Sequence, residues 1–148
     1  MAEYYAHLDD GDPDLDKYFS ADGVLDVNGL VAEGADKIKA LYVRARGGVA
    51  VIAKPSSDPN AVPKGGELTL LTNLKIDVTG DKAVAEMYWT SVAADNLITP
   101  PHVPEYGRDH TELVKLKGHW LIKRRVVTSF GGMPKGELEP YRKSRVAQ

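Results

Sequence analysis

Hydrophobic periodicity along this 148-residue chain predicts an α+β fold, a strongly bent antiparallel sheet wrapped over helices so that a pocket is enclosed. Two observations carry the prediction. From Gly66 to Phe130 the chain reads as four successive strands joined by short turns, and ahead of them lie three short helical segments joined to a small hairpin. Length, 43% hydrophobic residues and 27% charged residues fit one globular domain.

The first segment places Met1, Tyr5 and Leu8 at i, i+4 and i+7, a helical stripe that Asp9-Asp10-Gly11-Asp12-Pro13 ends. Asp12 as N-cap and Pro13 at the first helical position predict a second short helix, Pro13 to Tyr18, presenting Leu15, Tyr18 and Phe19 inward. Val24 to Val27 reads as a strand, Asn28-Gly29 as a tight turn and Leu30 to Glu33 as the return. From Ala35 to Arg46, Ile38, Leu41, Tyr42 and Ala45 share a stripe, as in a surface helix packed on a sheet. Residues 47–66, rich in Pro and Gly around one apolar piece from Val49 to Ala53, predict a long connection of the kind that forms lids or rims.

Leu68 to Val78 alternates, with Leu70, Thr72, Leu74, Ile76 and Val78 on one side. In Lys82 to Ala94, Met87 and Trp89 share one face, and Glu86 and Tyr88 the other. Asp95 to Glu105 is a second proline-bearing loop, holding His102 and leading to Tyr106. Arg108 to Leu116 and Trp120 to Phe130 form the last hairpin, about Lys117-Gly118-His119. The tail from Gly131 to Gln148 predicts a loosely held extension.

Several classes of function find no support. With no cysteine there is no disulfide or thiol chemistry, and the four scattered His residues lack metal-ligand spacing, so neither a metal nor another cofactor is expected. A net charge of −2 gives no general attraction to nucleic acid, and the basic run Lys115, Lys117, Lys123, Arg124 and Arg125 reads as a solvated hairpin face or dimer rim. No apolar run is long enough to span a membrane and no leader is evident, so the cytoplasm is the expected location.

The ordered set of Leu8-Asp9-Asp10-Gly11-Asp12, Phe19, Asp22 to Val27, Gly34, Leu71-Thr72-Asn73, Gly107, Gly118-x-Trp120 and Arg125 resembles the nuclear transport factor two-like superfamily, in its SnoaL-like branch. The resemblance implies a cone-shaped sheet closed by three N-terminal helices over residues 1–132, followed by an extension over 133–148. It implies an apolar pocket for a small hydrophobic molecule and, usually, a homodimer. It does not fix one activity, because the superfamily holds dehydratases, isomerases, polyketide cyclases, epoxide hydrolases and non-catalytic binding proteins.

Resemblance to the dehydratase members aligns Asp9 with a pocket Asp and Tyr4 with a pocket Tyr; helical geometry instead pairs Tyr5 with Asp9, so both tyrosines stand as candidates. The strand histidines of those dehydratases are replaced here by Thr69 or Leu70 and by residues of the run Met87 to Ser91. The SnoaL-like Gly-x-Tyr-x-Asp pattern becomes Gly107-x-Asp109-x-Thr111, which adds a carboxylate, Asp109, on the inward face. Asp9 could equally be a solvated helix end and Asp109 a partner in a surface ion pair. His110 faces away from Asp109 on a regular strand, and a bulge would exchange the two.

Candidate catalytic residues are therefore Asp9, Tyr4, Tyr5, Asp109 and His110. Candidate pocket-lining residues are Phe19, Tyr42, Leu70, Tyr88, Trp89, His102, Tyr106 and Phe130. The expected chemistry is cofactor-independent lyase or isomerase action by proton transfer, with one carboxylate held protonated by burial and by repulsion from the other. The competing expectation is a non-catalytic binding or assembly module. An epoxide hydrolase would need an Asp-Arg-Asp arrangement that Arg108-Asp109 echoes only in part.

Overall fold

The computed structural model describes residues 2–9, 14–46 and 61–146, with the backbone alone for residues 2, 8, 9, 43–46, 145 and 146. Its elements are helix α1 (Ala2–Asp9), a 3-10 turn (Leu15–Tyr18), strands β1 (Phe19–Val27) and β2 (Leu30–Glu33), and helix α2 (Ala35–Arg46). Strands β3 (Glu67–Thr79), β4 (Lys82–Ala93), β5 (Tyr106–Leu116) and β6 (His119–Gly131) follow, then helix α3 (Leu138–Val146). The six strands form one bent, unclosed sheet in the order β2-β1-β6-β5-β4-β3. Every neighbouring pair is antiparallel except β1 with β6, a parallel pairing that the meander pattern did not announce.

The helices lie on one face. Helix α2 packs against β1, β2 and the 3-10 turn, while α1 meets β3 and the same turn. Leu15, Phe19, Leu25, Ile38, Ala85, Met87 and Ile122 form the apolar core between them. Full burial of each large side chain is worth about 1.5–3 kcal/mol, so this layer, more than helix propensity, holds the short α1 in place.

Bulges shape the sheet and decide which side chains face the helices. On β3, Thr72 pairs with Tyr88 but Lys75 with Glu86, so one extra residue is accommodated beside Asn73, whose φ is +53°. Leu70 therefore stands on the outer face opposite Thr90, while Ile76 and Val78 stand with Ala85 and Ala83, although regular alternation put all three on one side. On β6, Glu112 pairs with Arg124 but Leu113 with Ile122, which makes Lys123 the extra residue. A further shift beside Gly107 leaves Phe130 unpaired.

Three other expectations are corrected. The second helix, predicted from Pro13, is a 3-10 turn over Leu15–Tyr18, with Pro13 and Asp12 outside the described residues. Phe19 begins β1, extending the expected strand by five residues toward the N-terminus, because Phe19 bridges to Ile122 across the sheet. The tail is tied down rather than loose. Asn28 Nδ2 donates to Glu137 Oε2 at 2.6 Å, and the Asn28-Gly29 turn fits beneath α3, where a Cβ on Gly29 would stand 2.5 Å from the Pro140 carbonyl oxygen. The apolar piece Val49 to Ala53 lies outside the described residues.

Candidate functional site

The face of the sheet beneath the helices buries a charged pair. Strand alternation turns Gly107, Asp109 and Thr111 inward from β5, and the extra residue at Lys123 turns Arg125 inward on β6 beside Thr111. Asp109 is 0% exposed and Arg125 4%. Gly107 lets the strands approach here, since a Cβ would stand 2.1 Å from the Thr128 carbonyl oxygen.

Burying an ion pair costs several kcal/mol of desolvation per charge, so the remaining donors and acceptors must be matched. They are. Arg125 Nε donates to Asp109 Oδ2 at 2.6 Å, Tyr5 Oη donates to the same oxygen at 2.7 Å, and Thr111 Oγ1 donates to Asp109 Oδ1 at 2.5 Å. Arg125 Nη2 donates to Tyr5 Oη at 2.6 Å, and Nη1 donates to Tyr4 Oη and, at 3.4 Å, to Tyr42 Oη. The guanidinium carbon lies 4.5 Å from the Tyr4 ring centre and 4.9 Å from that of Tyr5, with the two rings at 86° to each other. Both α1 tyrosines thus serve one cation from adjacent helical positions.

A count of hydroxyl protons gives the cluster its chemical direction. The Tyr5 and Thr111 protons go to Asp109. Tyr4 and Tyr42 share a hydrogen bond with each other, which uses one proton of the two. The other has no acceptor among the described residues, and the phenol that carries it is backed by Arg125. Burial pushes the Tyr4, Tyr5 and Tyr42 hydroxyls above their ordinary range against the opposing pull of Arg125, so all three remain neutral donors at neutral pH. Burial works against the Arg125 cation, but Asp109 and the tyrosine oxygens outweigh it and make the guanidinium more basic than usual.

Other candidates fall elsewhere. Phe19, Tyr42 and Trp89 are buried on the inner side. The Asp9 side chain lies outside the described residues, so the expected Asp9–Asp109 pair is not seen, and the charge observed beside Asp109 is the Arg125 cation. His110 faces outward because β5 carries no extra residue between Arg108 and Thr111, and its Nδ1 lies 3.2 Å from Glu86 Oε1. Arg108 also pairs with Glu86, whose carboxyl is held below its usual range first by the His110 contact and then by Arg108. The guanidinium beside Asp109 is thus not that of its sequence neighbour.

Leu70, Tyr88, Tyr106 and Phe130 are exposed, so none lines the interior. Tyr88 alternates with the buried Met87 and Trp89, and Phe130 packs at 6.2 Å from the Tyr88 ring and 6.3 Å from that of Tyr106, an aromatic cluster away from Asp109. His102 is exposed in the loop before β5, where it bridges to Ala93. Arg125, assigned from sequence to a solvated face, is the residue missed. Its position, three residues past the apolar Ile122, is an outward one on a regular strand, and only the extra residue at Lys123 makes it inward. Among the described residues no cluster of His, Cys, Asp or Glu could hold a metal ion, and no helix is long and apolar enough to cross a membrane.

A bent, unclosed sheet covered by helices, with a Tyr–Arg–Asp cluster buried between the layers, makes this an α+β protein whose solved structural neighbours have the cystatin-like fold of nuclear transport factor two-like proteins. The SnoaL-like domain model matches residues 1–126, and the chain belongs to that family. Among solved structures it resembles a cystatin-like-fold protein of unknown function from Nostoc punctiforme, with 19% identity, TM-score 0.70 and coverage of 90% of this chain and 87% of that one. It is likewise similar to ActVI-ORFA from Streptomyces coelicolor, with 18% identity, TM-score 0.70 and coverage of 90% and 91%. A third likeness is to a scytalone dehydratase candidate from Novosphingobium aromaticivorans, with 22% identity, TM-score 0.64 and coverage of 88% and 79%. No curated protein matches the chain.

Proposed function

We propose that this protein is a cofactor-independent lyase or isomerase acting on a small, largely apolar, ring-containing carbonyl compound by proton transfer. The observation that carries the reading is the single tyrosine proton left over in the Tyr4–Tyr42 pair and backed by the Arg125 cation. A donor fixed in a water-poor interior stabilises an oxyanion that develops on a substrate carbonyl, which is the need common to dehydration, aldehyde elimination and double-bond migration. The likeness to a dehydratase candidate supports the lyase form. Asp109 acts by holding Arg125 and Tyr5 in place, and Asp9, at the end of α1, is the proposed base.

The site is further proposed to belong to a homodimer formed through the outer face. That face carries Leu68, Leu70, Tyr88, Tyr106 and Phe130 exposed, beside a groove of ≈ 340 Å³ lined by Arg108, His110, Val126, Thr128 and Phe130. Apolar exposure on this scale marks an interaction surface.

The reading is tested without knowledge of the natural substrate by incorporation of solvent deuterium α to the carbonyl of 1-indanone, followed by mass spectrometry. Wild-type protein accelerates the exchange over buffer, and Tyr4→Phe and Asp9→Asn, shown folded by circular dichroism, lose about 10²-fold or more of that rate. Binding of 1-indanone without any exchange above buffer would instead identify a non-catalytic binding module.

A further inference from the structure

Trp89 is 8% exposed, and its indole Nε1 is one of two buried side-chain polar atoms without a hydrogen-bond partner among the described residues, the other being Asp16 Oδ1. A buried donor left unmatched costs about 1–3 kcal/mol, so native proteins keep few of them and those kept call for a reason. The serines of the neighbouring inward positions do not supply the missing acceptor: Ser91 Oγ bonds to Glu67, Ser129 Oγ bonds to Glu105 and Asn28, and neither is a partner of the indole.

The place of Trp89 in the sheet supplies the reason. Its neighbour across the ladder is Gly107, while Met87 faces Asp109, so Trp89 stands one inward row beyond the Asp109 row on the same covered face. Two residues along a strand span about 7 Å. The unpaired tyrosine proton and the unpaired indole N–H are thus two separate donors on the covered side of one sheet, the first at the Arg125 cluster and the second beyond the Asp109 row.

We infer that Trp89 Nε1 binds a second acceptor oxygen of the substrate, remote from the carbonyl that meets the tyrosines. This inference rests on the proposed reaction at Tyr4 and Tyr42 for the position of the first oxygen. It narrows the substrate class to ring compounds bearing two oxygens at opposite ends, the distal one able to accept a hydrogen bond. Trp89 is then a specificity-determining residue and takes no part in proton transfer.

The test compares 5-methoxy-1-indanone with 5-ethyl-1-indanone, two probes of nearly equal shape that differ by one acceptor oxygen. Calorimetry on the full chain should show the methoxy compound binding about tenfold more tightly, as one hydrogen bond to an otherwise unmatched donor implies. In Trp89→Phe, which keeps a ring and removes the donor, the preference disappears while affinity for the ethyl compound stays within about twofold, the mark of a lost contact and not of a lost fold. The indole proton–nitrogen NMR signal of Trp89, assigned by its retention in Trp120→Phe, moves with the methoxy probe only. A preference that survives Trp89→Phe, an indole signal that moves equally with both probes, or failure of both probes to bind would overturn the inference. A methoxy preference in a protein that shows no deuterium exchange would refute the catalytic reading and leave this one standing.

Discussion

Arg125 and Asp109 come from different strands yet meet at 2.6 Å between Nε and Oδ2, with both side chains buried under α1 and α2. The pair is expensive to leave half-complete. Asp109→Leu alone strands a buried cation and is expected to cost about 3–5 kcal/mol, whereas the double variant Asp109→Leu/Arg125→Met costs clearly less than the sum of the two single changes. Urea denaturation of the two single variants and the double variant measures the coupling.

The tyrosines divide by what their protons do. Tyr5 donates to Asp109 and has none to spare, so Tyr5→Phe should lower indanone exchange by about tenfold or less. Tyr4→Phe and Tyr42→Phe both disturb the shared hydrogen bond and should each lower it by about 10²-fold. Equal losses in the three variants would show that the spare proton plays no part.

Alkaline pH should weaken the fold through the same residues. Tyr4, Tyr5 and Tyr42 have hydroxyls raised by burial, so above the unfolded value of about 10 the folded chain holds protons that the unfolded chain has released. Their contribution is fully present below pH ~10 and declines as pH rises above it. The urea midpoint should fall from pH 10 to 12, and less steeply in Tyr42→Phe than in wild type.

At the outer face, Phe130→Glu places a charge among Tyr88, Tyr106 and the groove residues. Light scattering should find wild type dimeric and this variant monomeric at micromolar concentration, with the circular dichroism spectrum unchanged. A monomeric wild type would dismiss the proposed dimer.

What the sequence shows and hides follows from period-2 alternation. Asn28-Gly29 marked its turn, Ile38 and Tyr42 marked the buried side of α2, and unbroken alternation placed Asp109 inward and His110 outward on β5. Extra residues at Asn73 and Lys123 invert the parity of everything beyond them, so Leu70 no longer shares a face with Ile76, and Arg125 faces Asp109 instead of water. A bulge is selected by tertiary pairing and leaves little mark in composition. The parallel contact of β1 with β6 joins residues some hundred positions apart, which no local pattern encodes.

The most direct test of the central claim is a crystal structure of the protein with 1-indanone bound. The account predicts the ketone between the helices and the inner face of the sheet, with its carbonyl oxygen about 2.7–3.1 Å from the Tyr4 or Tyr42 hydroxyl. A ketone seated only in the outer groove beside Arg108, His110 and Phe130, with the Tyr4–Arg125–Asp109 cluster closed to it, would contradict the account.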